Sequence, residues 1–302
     1  MAQIAYTQGP IDIDGTAYGS IQSLNFDPAI QSLILSGAGL INPTFAGLQS
    51  GRPAVTFTTT AIDTFLALLG ATGHAIATSV IVYFTQKVNE GVNAGATSHV
   101  KLTIGNGLVI PVSLTASQGD GSPGNAVLEC QVFATSDGTN SPLTIAVSQS
   151  LPAIPVNNEV FSLAKLDYGG ADWDIESATL NFGLDILQQG SNGIPWDQFV
   201  AVRTQQPTLE IITSDLDLLA TLTNNGDSID DVIQYFRRKT QRGTHDTDVT
   251  ESHVKITIAE AFATAGAVSS DQGGEAKLPV TIQPIFDGTN AILVIDPNAA
   301  IA

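Results

Sequence analysis

The chain has 302 residues, room for one large domain or two of ordinary size. It carries 29 acidic and 11 basic side chains, a formal net charge of −18, on a sequence that is 43% hydrophobic and only 13% charged. That balance argues against counterion-driven nucleic-acid binding and against docking on an anionic membrane, and a lone cysteine, Cys130, excludes an internal disulfide. The opening residues, MAQIAYTQGPID, lack the basic and apolar regions of a secretory leader.

In chain order, SIQSLNFDPAIQSLIL (20–35) alternates apolar and polar side chains and predicts strand. INPTFAGLQSGRP (41–53) reads as a loop with a short helical turn. AVTFTTT (54–60) is rich in β-branched residues, as strands are. Thr60 as cap, Asp63 in the first turn and Gly70 after the last periodic residue predict a short helix over AIDTFLALLG. SVIVYFTQ predicts a strand, HVKLTIGNGLVIPVSLTAS (99–117) one long strand or a strand pair, and VLECQVFA another strand. DGTN (137–140) predicts a hairpin turn and PLTIAVSQS a closing strand. The run FLALLGATGHAIATSVIVYF, uncharged and long enough to span a bilayer, lies inside this series.

The series then repeats. HVKLTI at 99–104 answers HVKITI at 253–258, an offset of 154, and DGTN recurs at 287–290, an offset of 150. Phe45 aligns with Phe199, Pro53 with Pro207, Asp63 with Asp217, Asn25-Phe26 with Asn181-Phe182, and Tyr83-Phe84 with Tyr235-Phe236. Matches that stay collinear point to a tandem duplication. We expect one domain over 1–154 and a second over 155–302, joined near LPAIPVNN (151–158). The second copy supplies matching strands at ESATLNFGLDILQQ, TLEIIT, DVIQYFRR, HVKITIAEAFATAGAVSS, LPVTIQPIF and ILVIDP, a loop at IPWDQFVAVRTQQP, and a helix opened by Ser214. The counterpart of the uncharged run contains Asp227, Asp230 and Asp231, so the run is expected to be a helix, a loop and a strand, with no membrane involved. The fold class expected is mainly β: two tandem β-sandwich or barrel-like units, each with one short helix.

Chemistry-bearing motifs are sparse. GxSxG, Walker, HExxH and CxxC patterns are missing, and no catalytic, metal or cofactor role is expected. Cys130 reads as a core residue, and His99 and His253 as structural. His245, Asp246, Asp248, Glu251 and His253 read as a solvated loop, and Asp12-x-Asp14-Gly15 lacks the acid that closes a calcium loop. The one concentrated feature is basic. Arg237, Arg238, Lys239 and Arg242 lie within six positions, where the first copy has Lys87 alone. On so acidic a chain this patch is read as a contact arm for another copy of the same protein, and Arg237→Glu with Arg238→Glu is expected to spare the fold while weakening contacts between rings.

The stretches Ile21–Phe26, Asn42–Phe45, Pro53–Thr60 and Ala61–Gly70, repeated as Ile175–Phe182, Pro195–Phe199, Pro207–Thr213 and Ser214–Leu222, resemble the tail tube proteins of long-tailed (siphovirus-like) bacteriophages. The resemblance covers nearly all of each copy and rests on patterns more than signatures. It implies a structural virion protein, not an enzyme, made in the bacterial host cytoplasm. Three chains would supply six tube domains to each ring, and stacked rings would form a DNA-conducting channel. The implied partners are the chain itself, a tape-measure protein and DNA held loosely in the lumen, and tail terminator and tail-tip proteins. An anionic bore suits such a conduit, since it offers phosphate no cations to bind, and Asp27, Asp174 and Asp185 are candidates to line it. The copies differ in charge: residues 1–158 carry 3 basic and 8 acidic groups, residues 159–302 carry 8 and 21, so their contacts should differ. Competing readings are a capsid-decorating protein, a secretion-system tube, or a two-domain carbohydrate- or ligand-binding module. The last would favour an exposed aromatic pair, yet the only tryptophans are Trp173 and Trp196.

Overall fold

A computed structural model describes residues 5–38, 41–70, 73–88, 94–119, 122–154, 159–191, 193–217, 219, 222, 228–240, 244–270 and 274–302. The chain is mainly β, with 23 strands and one helix among the described residues. The first half runs β1 (Ala5–Ile13), β2 (Thr16–Tyr18), β3 (Ile21–Asp27), β4 (Ile30–Leu35), β5 (Phe45–Gly51), β6 (Ala54–Thr59), α1 (Ile62–Leu69), β7 (Ala75–Ala77) and β8 (Val80–Lys87). It continues with β9 (His99–Ile104), β10 (Gly107–Gly119), β11 (Ser122–Pro123), β12 (Val127–Ala134) and β13 (Leu143–Gln149). The second half runs β14 (Val160–Tyr168), β15 (Ala171–Trp173), β16 (Ser177–Asn181), β17 (Leu184–Gln189), β18 (Phe199–Gln205), β19 (Thr208–Thr213), β20 (Ser228–Lys239), β21 (His253–Ala265), β22 (Leu278–Pro284) and β23 (Val294–Ala299).

The pairing pattern of the first half recurs in the second. One sheet in the first half has the order β2-β1-β8-β9-β13, and β15-β14-β20-β21-β23 repeats it. A second sheet, β3-β6-β12-β10, is answered by β16-β19-β22-β21. Hairpins β4–β5 and β17–β18 stand apart from both. Small details recur too. Asp12 Oδ1 accepts from Gly15 N–H at 2.8 Å in the β1–β2 turn, and Asp167 Oδ1 from Gly170 N–H at 2.9 Å in the β14–β15 turn. Gly15, Gly169 and Gly170 have positive φ, as tight two-residue hairpins require.

Strand alternation places the core. Along β6 and β12 every second residue is buried, so Val55, Phe57, Leu128, Cys130 and Val132 face inward between the two sheets. Helix α1 adds Ile62, Phe65, Leu66 and Leu69, with the Phe65 ring 4.4 Å from that of Tyr18 and 5.2 Å from that of Phe57. The buried side chains of both halves form one contiguous cluster. The expected boundary at 154/155 lies between β13 and β14, but the sheets do not stop there. Residues 113–117 of β10 pair with β16, from Ser113↔Asn181 to Ser117↔Ser177, and this seam makes one long wall of the two smaller sheets.

Several expectations are corrected. Residues 5–13 and 160–168, for which the sequence pattern predicts no strand, form β1 and β14, each paired on both sides. The stretches 41–53 and 194–207 hold no helical turn: β5 and β18 are strands because β4 and β17 pair with them. Thr60 is not the helix cap. The Thr59 hydroxyl accepts from Ala61 N–H at 3.1 Å and donates to Ser20 O, and Thr213 does the same for Asp215 N–H at 3.0 Å and Asp174 O. Of the second predicted helix, 214–222, residues 218, 220 and 221 lie outside the described residues. DGTN turns from one sheet to the other, because the strands on either side of it are not partners. At both turns the aspartate accepts from the N–H groups two and three residues on, at 2.7–2.8 Å. The Asn140 and Asn290 amides, backbone first, hold Asp137 and Asp287 below the usual carboxylate range. The 99–117 segment breaks at Gly105-Asn106 into β9 and β10, whereas Ala259-Glu260 keeps β21 continuous for 13 residues. The uncharged run is α1, β7 and β8, and no helix among the described residues is long and apolar enough to cross a membrane.

Candidate functional site

The wall sheet buries one face and leaves the other polar. Residues that pair directly across antiparallel strands share a face, so the register traces rows along it. One row runs Ser23↔Thr58↔Glu129↔Ser113↔Asn181↔Thr208. A second runs Thr115↔Thr179↔Glu210↔Thr281↔Thr264. A third adds Asn25↔Thr56↔Gln131. Hydroxyls and amides dominate, and neither lysine nor arginine occurs in these rows. The Ser23 and Thr58 hydroxyls lie 2.7 Å apart, and Ser113 donates to Glu129 at 3.4 Å. Short uncharged side chains with sparse carboxylates offer phosphate no cation and bases no aromatic platform in these rows.

Of the three acids expected to line a channel, Asp27 belongs to this face, at the exposed end of β3, where its carboxylate also caps Ala29 N–H at 2.8 Å. Asp174 and Asp185 do not join it. They flank opposite ends of β16, and Asp185 sits in the β17–β18 hairpin paired with Arg203 at 2.6 Å. Asp174 lies between β15 and β16, and Asp185 leaves the wall because the sequence run 176–189 divides at Gly183 into two strands of different sheets. Glu129 and Glu210 were missed. The signal was present in their strands, where E-C-Q and L-E-I place the acid opposite the buried apolar positions.

The basic cluster lies elsewhere, at the end of β20. Lys87 and Lys239 terminate the equivalent strands β8 and β20, and Arg242 lies outside the described residues. Arg237 pairs with Asp248, and Arg238 with Glu159 at 2.6 Å and Asp246 at 3.5 Å. These arginines clamp the 244–252 loop and the start of β14 to their own chain. Glutamate at 237 or 238 would therefore break internal ion pairs as well as any contact with a second copy. Among the described residues no group of three or more potential metal ligands occurs. His245 is held below its ordinary value by burial and then by Lys239 and Arg237.

His99 and His253 do the same structural job. The Nδ1 of His99 accepts from Gln86 N–H at 3.1 Å, and the Nδ1 of His253 from Arg238 N–H at 3.0 Å, with Nε2 of His253 3.1 Å from Thr247 O. Each buried ring satisfies an amide at a strand margin. His253→Ala should lower unfolding free energy by about 1–3 kcal/mol, the cost of an orphaned buried donor, read as a shift in denaturant midpoint. An unchanged midpoint would mean that water replaces the ring. Cys130 is fully buried, and burial pushes its thiol far above the ordinary range, which leaves it unreactive.

Across the seam the β17–β18 root rests on the first half. Gly51 N–H donates to Pro195 O at 2.8 Å, and a Cβ at Gly51 would lie 2.7 Å from Cε3 of Trp196, so only glycine admits the indole. Asp197, 6% exposed, meets Arg52 Nε at 3.1 Å, and its carbonyl accepts from Ser136 N–H at 2.8 Å. Burial raises the Asp197 carboxyl, and Arg52 offsets this only in part. Compared with known proteins, the chain matches no family model and no curated sequence.

Proposed function

We propose that this chain is a structural subunit of a phage tail tube: two tandem units, 1–154 and 155–302, with three chains closing a ring of six units and rings stacking into a hollow conduit for DNA. The observation that carries this reading is the seam. Within one chain, the outer edge of β10 meets the outer edge of β16. The two matching edges recur at opposite ends of the wall, where no named strand among the described residues pairs with them. β3, the counterpart of β16, pairs only with β6 among the described residues. Residues 267–269, the counterpart of 113–115, bridge through Ser269 to Lys277, just before β22, and no named strand pairs with them on the other side among the described residues. Transposing the seam register sets Val268 against Leu24, where the chain itself sets buried Leu114 against buried Leu180. Val268 is 41% exposed and awaits such cover.

Such joining is head-to-tail, so it either closes into a ring or runs on as a fibre. Closure removes both free edges of the wall. The polar face carrying Asp27, Glu129 and Glu210 then lines the bore. Negative-stain microscopy of the purified protein tests the reading. Six-lobed rings or hollow tubes are expected, and a homogeneous monomer at micromolar concentration would overturn it.

A further inference from the structure

We infer that hairpin β4–β5 of one chain seats on the second half of a second copy, at Gln205, Gln206 and Phe286, as β17–β18 seats on the first half within each chain. The inference rests on the ring reading and adds the contact that decides which units become neighbours.

The two hairpins are counterparts with different surroundings. β17–β18 has its root held by Gly51, Arg52 and Ser136. β4–β5 is bare: Ile30, Ile34, Leu35 and Phe45 are 50–60% exposed. So much apolar surface on one projecting hairpin marks a contact surface. The chain's own seam says what covers it. Under the repeat, Trp196 and Asp197 correspond to Asn42 and Pro43, while Gly51, Arg52 and Ser136 correspond to Gln205, Gln206 and Phe286.

Each partnership is complementary in its own way. Within the chain, a large ring faces a residue without a side chain, and an acid faces a base. Between chains, a small amide faces a long one, and Pro43 faces Phe286, which is 63% exposed. Exchanging partners fails. Trp196 against Gln205 overlaps side chains where Gly51 left room, and Asp197 loses its cation. Pro43 against Arg52 leaves that cation unanswered. Attraction to the right neighbour and exclusion of the wrong one together enforce strict alternation of the two units.

The test uses cysteine pairs. Gly51 and Trp196 form a β-bridge, so their counterparts Gln205 and Asn42 would lie within disulfide reach across chains. Cys130 is fully buried and does not interfere. The double variant N42C/Q205C, assembled and mildly oxidised, should run in denaturant as covalent dimers and trimers of the 31.4 kDa chain that revert on reduction. If the double variant does not assemble, N42C mixed with Q205C should give a covalent dimer that neither single variant gives alone. Microscopy of the same samples separates the two claims. Rings without covalent oligomers overturn the hairpin contact and leave the ring intact, whereas unmodified protein that forms no rings overturns both.

Discussion

Replacing Gly183 with alanine is expected to destabilise the protein by about 3 kcal/mol or more, the scale of a forced backbone shift at a left-handed position. Gly183 has φ +58°, and an added Cβ would overlap the carbonyl carbon and oxygen of Gln206 and lie 3.1 Å from Pro207 N. Neither side can yield easily, because Gln206 N–H donates to Gly183 O at 2.9 Å and Pro207 leads straight into β19. The residue is the corner at which the chain leaves the wall for the β17–β18 hairpin. The expected observation is a large fall in denaturant midpoint with loss of assembly. An unchanged midpoint would mean that the root of the hairpin is free to move, and the docking at Gly51 and Arg52 would then have a different origin.

The second large effect concerns the proposed bore. Asp27→Lys with Glu129→Lys and Glu210→Lys replaces three carboxylates per chain by three cations on one face of the wall. Assembled tubes of the starting protein are expected to show no measurable binding of short duplex DNA. Tubes of the triple variant should bind it with an affinity that falls by about 10³ or more between 50 and 200 mM salt, as multiple phosphate contacts do. Binding of DNA by neither form, with tubes intact under the microscope, would mean that this face is covered by protein contacts and does not line an open lumen.

The arginine cluster has partners that chain order alone does not reveal. Four cations in six positions look like a free surface when only the chain order is known. Folding brings Asp246, Asp248 and Glu159 onto Arg237 and Arg238 from a loop and from a strand nearly 80 positions away. Net charge predicts the sign of a partner, but not whether that partner is already present in the same chain.

What the residues determined locally came through in the strands. Alternation in AVTFTTT, VLECQVFA, TLEIIT and LPVTIQPIF placed them as strands, since a period of two is a property of the extended backbone alone. The collinear matches at offsets of 150–156 anticipated the recurring pairing pattern for the same reason, as like segments make like elements. Tertiary structure decided which edges meet. β10 pairs with β16 across some 64 positions, and that pairing made a continuous polar wall, gave Glu129 and Glu210 a shared face and sent Asp185 into a separate hairpin. A side chain's face follows from its own strand, but its neighbours follow from contacts between distant segments, and those are fixed only when the whole core packs.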